Sequence, residues 1–263
     1  MLNSILLIGC GNMGGAMLAG WLASGMDPSR FTVVDPFVAE VSPGVELLRD
    51  LPERSFDAIL LGVKPQMLGE VAPDLARIAG ADTILLSILA GVELDSLATR
   101  FPAARGLVRI MPNLAAAIGK SPVALAQRGL GEADMVRVAA LMAPLGTPEW
   151  LDEGLFDAVT ALAGSGPAFV YRFIDALAAG AAALGMAPDQ AQRLALATVE
   201  GASALASASP HAPGELARRV ASPGGTTEAG LKELDADAAL ARLVAATLKA
   251  AADRSAEMAS AAR

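Results

Sequence analysis

One six-residue run has the composition of a backbone site for a small anion. The run is Ser222-Pro223-Gly224-Gly225-Thr226-Thr227, and a helical stretch follows it. Two glycines let neighbouring backbone N–H groups point the same way, and a helix N-terminus adds partial positive charge. Its last four residues could hold a carboxylate, with the Thr227 hydroxyl available to a ring nitrogen; Glu228 would then have to point away. A helix N-cap without a ligand explains the same run equally well.

A second run, Gly9-Cys10-Gly11-Asn12-Met13-Gly14, has the spacing of a dinucleotide-binding turn. It follows an apolar run typical of a buried strand and precedes a helical pattern. Gly9 would permit the tight turn, Gly11 the approach of a pyrophosphate, and Gly14 the close packing of helix on strand. The alternative is a purely structural turn. A chain with both runs is predicted to oxidise or reduce a small carboxylate with a nicotinamide cofactor.

Two residues near this turn need an interpretation of their own. Asp35 follows the second predicted strand, where an acid usually accepts hydrogen bonds from the adenosine ribose and repels a 2′-phosphate. The alternative is that Asp35-Pro36 only initiates a turn. Cys10 is interpreted as a small packing residue rather than a nucleophile.

The chain lacks several kinds of catalytic group. Its one histidine, His211, lies in a Pro-rich loop, and no His/Cys grouping has metal-ligand spacing, so no metal is expected. No lysine lies on the apolar helix predicted after Gly164-Ser165-Gly166, where a β-hydroxyacid dehydrogenase would carry its catalytic lysine. Reducing a ketone needs a general acid. A cyclic imine is basic enough to take its proton from water, so the site needs only positioning and desolvation.

The elements that must position these residues change type along the chain. Apolar runs alternate with helical or irregular segments in the first half, which predicts a doubly wound α/β sheet. After about Asp152 the segments are Ala-rich and helical. We therefore expect a dinucleotide-binding domain over 1–152 and a helical domain over 153–263. The segments 169–184 and 193–206 are apolar nearly all round, so a partner subunit should cover them. The predicted strands are 5–8, 31–34, 58–61, 83–87 and 107–110.

Composition excludes several classes of protein. Of 263 residues, 54% are hydrophobic and 18% charged, which argues against disorder. The net charge of −8 makes nucleic acid an unsuitable partner. The single cysteine suits a reducing cytosol, so a cytoplasmic location is expected. Charged residues, Gly and Pro interrupt the most apolar stretch, 158–187, so no membrane span is expected.

The sequence resembles the pyrroline-5-carboxylate reductase family of proline biosynthesis over essentially its full length. Six ordered motifs carry the resemblance. They are 9–14; Val63-Lys64-Pro65-Gln66; Ser87-Ile88-Leu89-Ala90-Gly91-Val92; Arg109-Ile110-Met111-Pro112-Asn113; Gly164-Ser165-Gly166-Pro167-Ala168-Phe169; and 222–227 with Gly230-Leu231.

The resemblance implies a fold, a reaction and a set of contacts. The fold is an N-terminal Rossmann domain followed by an all-helical domain that interlocks in a dimer, with dimers often forming decamers. The reaction is hydride transfer from NADPH or NADH to the imine carbon of L-1-pyrroline-5-carboxylate. The implied cofactor contacts are Gly9, Cys10, Gly11, Asn12, Met13, Gly14, Val63, Lys64, Pro65, Ala90, Gly91 and Asn113, and Asp35 joins them from its position after the second predicted strand. The implied substrate contacts are Gly224, Gly225, Thr226 and Thr227, with Thr227 near the ring nitrogen.

Two positions differ from the family pattern. The family usually continues Met111-Pro112-Asn113 with Thr-Pro, whereas this chain has Leu114-Ala115. Asp35 stands where the family often has a residue suited to a 2′-phosphate, which favours NADH use. Two other functions stay open from the residues: a β-hydroxyacid dehydrogenase and a non-catalytic dinucleotide-binding sensor.

Overall fold

The computed structural model describes residues 2–261 and contains one eight-stranded sheet. The strand order is β3-β2-β1-β4-β5-β6-β7-β8, and every neighbouring pair is parallel except β6 and β7. The strands are β1 (Ile5–Ile8), β2 (Phe31–Val34), β3 (Glu46–Leu48), β4 (Ala58–Leu61), β5 (Ile84–Ser87), β6 (Gly106–Met111), β7 (Ser121–Arg128) and β8 (Gly146–Trp150).

Helices connect the strands of the sheet, and the chain after the last strand is helical. Those between strands are α1 (Asn12–Ala23), α2 (Leu68–Leu75), α3 (Leu94–Arg100) and α4 (Glu132–Met142). After β8 come α5 (Phe156–Val159), a π-helical turn (Thr160–Gly164), α6 (Gly166–Ala183), α7 (Pro188–Ala208), α8 (Pro213–Val220), α9 (Thr226–Asp235) and α10 (Ala239–Ala261).

The central strands are apolar because both of their faces are buried. One face of β1 packs Ile5 and Leu7 into a core that includes Trp21 of α1. The other face packs Leu6 and Ile8 into a second core, on the α2 and α3 side. Continuous apolar runs are what a parallel sheet with helices on both faces requires. The doubly wound sheet predicted from the sequence is therefore confirmed.

The chain divides into two compact units. The first unit comprises the residues up to Gly164 together with those from Ala250 onwards, so the end of α10 belongs with the sheet. The second comprises residues 165–249. The boundary after residue 152 stays a prediction, since the structure groups 153–164 and the end of α10 with the first unit.

The second unit is helical throughout and exposes many large apolar side chains. Its helices α6 and α7 form an antiparallel pair joined by a short turn at Gly185. The exposed residues are Val170, Tyr171, Phe173, Leu177, Leu184, Met186, Leu194, Leu196, Leu205, Val220, Leu234, Leu240, Leu243 and Val244. None of the helices in residues 2–261 combines the length and the apolar character needed to cross a membrane.

Candidate functional site

The turn between β1 and α1 needs glycine at its first and last positions. Gly9 has φ +87°, and a Cβ there would lie 3.0 Å from the backbone of Gly62, which follows β4. A Cβ on Gly14 would lie 2.8 Å from the carbonyl oxygen of Gly9. A side chain at either position would push α1 away from the strands. The structural roles predicted for Gly9 and Gly14 therefore match the geometry.

Gly11 differs from these two because the space beside it is open. A Cβ on Gly11 would meet no atom within 4 Å. The backbone N–H groups of Asn12 and Met13, in the first turn of α1, have no hydrogen-bond partner within residues 2–261. That turn carries no acidic residue and no side-chain cap. Free N–H groups at a helix N-terminus beside open space fit a pyrophosphate.

The sheet topology places this turn where Rossmann folds bind ligands. From β1 the chain proceeds to β2 and β3 on one side, and then crosses to β4, β5 and β6 on the other. Such a reversal of strand order opens a crevice at the carboxyl ends of the strands. The turns after β1 and β4 border it with Gly9 and Gly62.

Asp35 is turned into the protein, where it fastens the turn after β2. The Oδ2 atom accepts a hydrogen bond from the Cys10 N–H at 2.8 Å. The Oδ1 atom accepts from the N–H groups of Phe37 and Val38, at 2.8 and 3.1 Å. Asp35 is 7% exposed. The structure thus displays the turn-initiating role; a contact with the adenosine ribose stays a prediction.

Asp35 keeps its charge despite this burial. Desolvation alone would raise the pKa of the Asp35 carboxyl, but three backbone N–H donors and the nearby Arg49 charge outweigh it and hold the pKa below its usual value. Beside it, burial raises the pKa of the Cys10 thiol, and the Asp35 charge raises it further. Cys10 packs against the core. A protonated, partly buried thiol agrees with its interpretation as a packing residue.

The residues that follow β4 and β5 lie along the same edge of the sheet. Val63 and Pro65 are half-buried, while Lys64 and Ala90 are exposed. Gly91 has φ +75°, and a Cβ on it would lie 3.2 Å from the Ala259 backbone of α10. Gly91 is therefore required by the crossing of the C-terminal helix, which the sequence did not reveal. Cofactor contacts at these positions stay predictions.

Asn113 is buried and uses its side chain inside the protein. The amide Nδ2 donates to the Ala163 carbonyl at 2.9 Å, and Oδ1 accepts from the Ala115 N–H at 2.9 Å. A proline at position 115, usual in the family, would have no N–H to donate. The departure from the family pattern therefore adds a hydrogen bond in this turn. A cofactor contact by Asn113 stays a prediction.

The run before α9 forms a turn in the second unit, with two of its N–H groups already engaged. Gly224 has φ +72°, and its N–H donates to Glu228 Oε2 at 2.7 Å. The Gly225 N–H donates to the Ser222 carbonyl at 2.9 Å. A bound anion would require Glu228 to point away, and in this structure Glu228 instead reaches back to the turn. Glu228 is the third residue of α9, and a carboxylate there commonly reaches back to the N-terminus, a signal present in the sequence.

The donors left free in this turn belong to the two threonines. The N–H groups of Thr226 and Thr227, in the first turn of α9, make no hydrogen bond within the described part of the chain, and neither do their hydroxyls. For an anion at this turn, the two threonine N–H groups are available, whereas the Gly224 N–H is occupied by Glu228. Of the four residues predicted to bind substrate, the two threonines have free donors.

An ion pair between a buried arginine and a half-buried glutamate in the first unit was not predicted from the sequence. Arg109 of β6 donates to Glu153 Oε1 at 3.1 Å, and its guanidinium lies 4.5 Å from the centre of the Phe156 ring. Glu153 Oε1 also accepts the Leu94 N–H at 2.8 Å. The pair ties the sheet to the segment that enters α5. Its only signal was an arginine within an apolar strand.

Comparisons with known proteins find relatives over nearly the whole chain. A family model described as "Pyrroline-5-carboxylate reductase dimerisation" matches residues 153–258, and one described as "NADP oxidoreductase coenzyme F420-dependent" matches residues 4–91. The chain is 35% identical to the pyrroline-5-carboxylate reductase of Pseudomonas aeruginosa, over 97% of this chain and 96% of that protein.

Solved structures give the same result. A pyrroline-5-carboxylate reductase from Coxiella burnetii matches with a TM-score of 0.90 at 28% identity, over 98% of each chain. A pyrroline carboxylate reductase from Plasmodium falciparum, solved with NADP bound, matches with a TM-score of 0.82 at 23% identity, over 97% of this chain and 98% of that one. The predicted fold class is confirmed, and the chain belongs to the pyrroline-5-carboxylate reductase family.

Proposed function

We propose that the protein reduces L-1-pyrroline-5-carboxylate to L-proline with NADH or NADPH. The observation that carries this proposal is the full-length likeness to reductases of that name, joined to an open pyrophosphate turn at Gly11. One hydride and one proton convert the cyclic imine into the amine. A bound nicotinamide cofactor supplies the hydride.

The first unit would hold the cofactor by its backbone. The free N–H groups of Asn12 and Met13 suit the pyrophosphate, and the open space at Gly11 lets it approach. The protein has a net charge of −8, so these local donors must outweigh a repulsive overall field.

The second unit would hold the substrate carboxylate at the N-terminus of α9. The free N–H groups of Thr226 and Thr227 support this role, as does the helix dipole. The Thr227 hydroxyl would hydrogen-bond the ring nitrogen and orient the imine. An imine nitrogen takes a proton from water readily. The residues therefore need to position the substrate and exclude bulk water, and acid catalysis by a side chain is not required.

We propose that both NADH and NADPH are used. The sequence favours NADH, because an exposed Asp35 carboxylate would repel a 2′-phosphate. In the structure the Asp35 residue is instead 7% exposed, and its carboxylate accepts hydrogen bonds from three N–H groups and lies near Arg49. This arrangement weakens the repulsion between the Asp35 carboxylate and a 2′-phosphate, so it supports the use of NADPH as well as NADH.

A steady-state assay with L-1-pyrroline-5-carboxylate, run with NADH and NADPH side by side, tests the proposed function. We expect substrate-dependent loss of absorbance at the cofactor's near-ultraviolet band with both. Folded protein that gave no such loss would refute the proposal. Turnover of hydroxyisobutyrate with NAD would favour a β-hydroxyacid dehydrogenase, and cofactor binding without any turnover would favour a sensor.

A further inference from the structure

Arg49 leaves the sheet beside Asp35, at the edge that carries the glycine turn. Strands β2 and β3 are parallel and pair Val34 with Leu48, so the next residue of each strand emerges at the same level. The Asp35 N–H donates to the Leu48 carbonyl at 3.2 Å and continues the pairing. Asp35 in turn accepts the Cys10 N–H. Arg49, Asp35 and the glycine turn are therefore linked by consecutive contacts.

The Arg49 side chain closes the turn after β2 and keeps part of its hydrogen-bonding capacity. One terminal nitrogen, NH1, donates to the carbonyl oxygens of Asp35 and Val38, at 2.6 and 2.7 Å. The Nε and NH2 groups make no hydrogen bond within residues 2–261, and Arg49 is exposed. A guanidinium has five N–H donors in a rigid plane that matches a phosphate. The anchored side chain thus presents free donors from a fixed position.

Of the two charged side chains that meet at this turn, Arg49 is exposed and Asp35 is buried; the exposed acids nearest in sequence are Glu40 and Asp50. The Asp35 carboxylate faces the N–H groups of Cys10, Phe37 and Val38 and is almost wholly buried. In a protein with a net charge of −8, an anionic group binds where a local cation outweighs the overall field. Arg49 provides such a cation.

We propose that Arg49 binds the 2′-phosphate of NADPH and sets the balance between NADPH and NADH. The inference rests on the proposed use of a nicotinamide dinucleotide. In Rossmann sites the adenosine ribose lies against the residue that follows β2, which is Asp35 here. A 2′-substituent on that ribose would point towards the turn that Arg49 closes.

The test measures binding of adenosine fragments, without turnover. Isothermal titration calorimetry compares 2′,5′-ADP, which carries the 2′-phosphate, with 5′-AMP, which lacks it. We expect wild-type protein to bind 2′,5′-ADP more tightly. The Arg49→Met variant should lose about tenfold or more in affinity for 2′,5′-ADP while its affinity for 5′-AMP changes little, because the lost contact is a charge-assisted hydrogen bond to phosphate. The ratio of kcat/KM for NADPH to that for NADH should fall by a similar factor.

The matched control is Arg54→Met, which changes the net charge equally. Arg54 contacts Glu46 and Thr32, in the amino halves of the same two strands. Its fragment affinities and cofactor ratio should stay as in wild type. Thermal melts of both variants check the fold.

Three outcomes would overturn the inference. Equal losses of affinity for both fragments in Arg49→Met would mean that Arg49 only holds the turn. The other two are an unchanged affinity of this variant for 2′,5′-ADP, and a wild type that binds both fragments equally. Failure to reduce the pyrroline substrate, with fragment binding as expected, would refute the proposed function and leave the role of Arg49 supported.

Discussion

At the scale of single residues, the Thr227 hydroxyl is the side-chain group proposed to touch the reacting ring. An aliphatic hydroxyl has a pKa far too high for acid–base work at neutral pH, but it can hydrogen-bond the imine nitrogen. Thr227→Val keeps the shape and removes that bond. We expect kcat/KM for the pyrroline substrate to fall by about ten- to a hundredfold, or roughly 1–3 kcal/mol, as measured by steady-state kinetics.

Thr226→Val is the matched control for this variant. Thr226 is expected to act through its backbone N–H, so losing its hydroxyl should change kcat/KM little. NADH affinity should be nearly unchanged in both variants. A wild-type rate in Thr227→Val would remove this hydroxyl from the site, and complete inactivity would show a role larger than positioning.

Asp35 makes the turn after β2 sensitive to acid. Its pKa is lower in the folded protein than the reference value of 3.8. The stabilisation by its carboxylate is therefore complete above the unfolded-state pKa and is lost as the pH falls through the lower, folded-state value. We expect Asp35→Asn to have a lower Tm than wild type at pH 7. The difference should shrink as the pH falls from about 4 through the lower folded-state pKa, since the Asp35 carboxyl then becomes protonated and is as neutral as the asparagine amide.

Calorimetric melts of both proteins from pH 3 to pH 7 measure this difference. A difference in Tm that stayed constant with pH would mean that the charge of Asp35 does not stabilise the turn, and that only the shape of its side chain does. Other carboxylates with lowered pKa values, such as Asp134 beside Arg105, should reduce the stability of both proteins equally at low pH. The comparison between the two proteins cancels that background.

Single residues were predictable where their role depends on local chain geometry. The conformations required of Gly9 and Gly14 follow from a strand, a tight turn and a helix that are adjacent in sequence. The contacts that the structure shows for Gly91 and Arg49 could not be predicted, because what they touch lies far away in the sequence or depends on how a loop closes. The contact of Glu228 with the turn follows from its position in the first turn of α9, whereas the sequence analysis supplied only the condition that it must point away from a bound anion.

At the scale of elements, the predictable strands are those whose two faces are both buried. The five predicted strands agree with β1, β2, β4, β5 and β6 to within one residue at each end. Strands β3, β7 and β8 were not predicted. Strand β3 has three residues at the sheet edge, and β8, at the other edge, contains Pro148. Strand β7 contains Pro122, which is paired with Thr147 of β8 but precedes the start of the pairing with β6 at Ala124.

The junction of β1 and α1 permits a paired test of strand–helix packing against cofactor binding. Gly14→Ala would place a methyl 2.8 Å from the Gly9 carbonyl oxygen, so we expect a loss of stability of about 1–3 kcal/mol. Gly11→Ala meets no protein atom, and Gly11 has an ordinary φ of −71°. We expect it to fold normally and to bind NADH roughly tenfold more weakly, a cost of about 1.4 kcal/mol.

Urea unfolding and calorimetric titration with NADH separate these two effects. The expected pattern is a lower unfolding free energy in Gly14→Ala, and an unchanged one with a raised Kd in Gly11→Ala. If Gly11→Ala bound NADH as wild type does, the open space beside this residue would not be the path of the pyrophosphate.

At the scale of the whole molecule, the exposed apolar surface of the second unit requires a partner. Large side chains such as Phe173 and Leu243 are exposed at 45% and 66% in the single chain. The same region matches the family's dimerisation model. We propose a second copy of this chain as the partner, and assembly of dimers into a decamer as the larger state. Burying such a surface would stabilise the folded chain, so folding and association should be coupled.

Light scattering and melts at several protein concentrations test this coupling. We expect a dimer or a multiple of it at micromolar concentration, and a Tm that rises with concentration. Leu243→Arg should shift the protein towards smaller species and lower its Tm, because a charge would be buried at the interface. The matched control is Val136→Arg, which alters a residue of α4 in the first unit that is 68% exposed and lies outside the residues matched by the dimerisation model. Its assembly state should equal that of wild type. A well-folded wild-type monomer at micromolar concentration would contradict the proposal, since the apolar helices would then be stable in water alone.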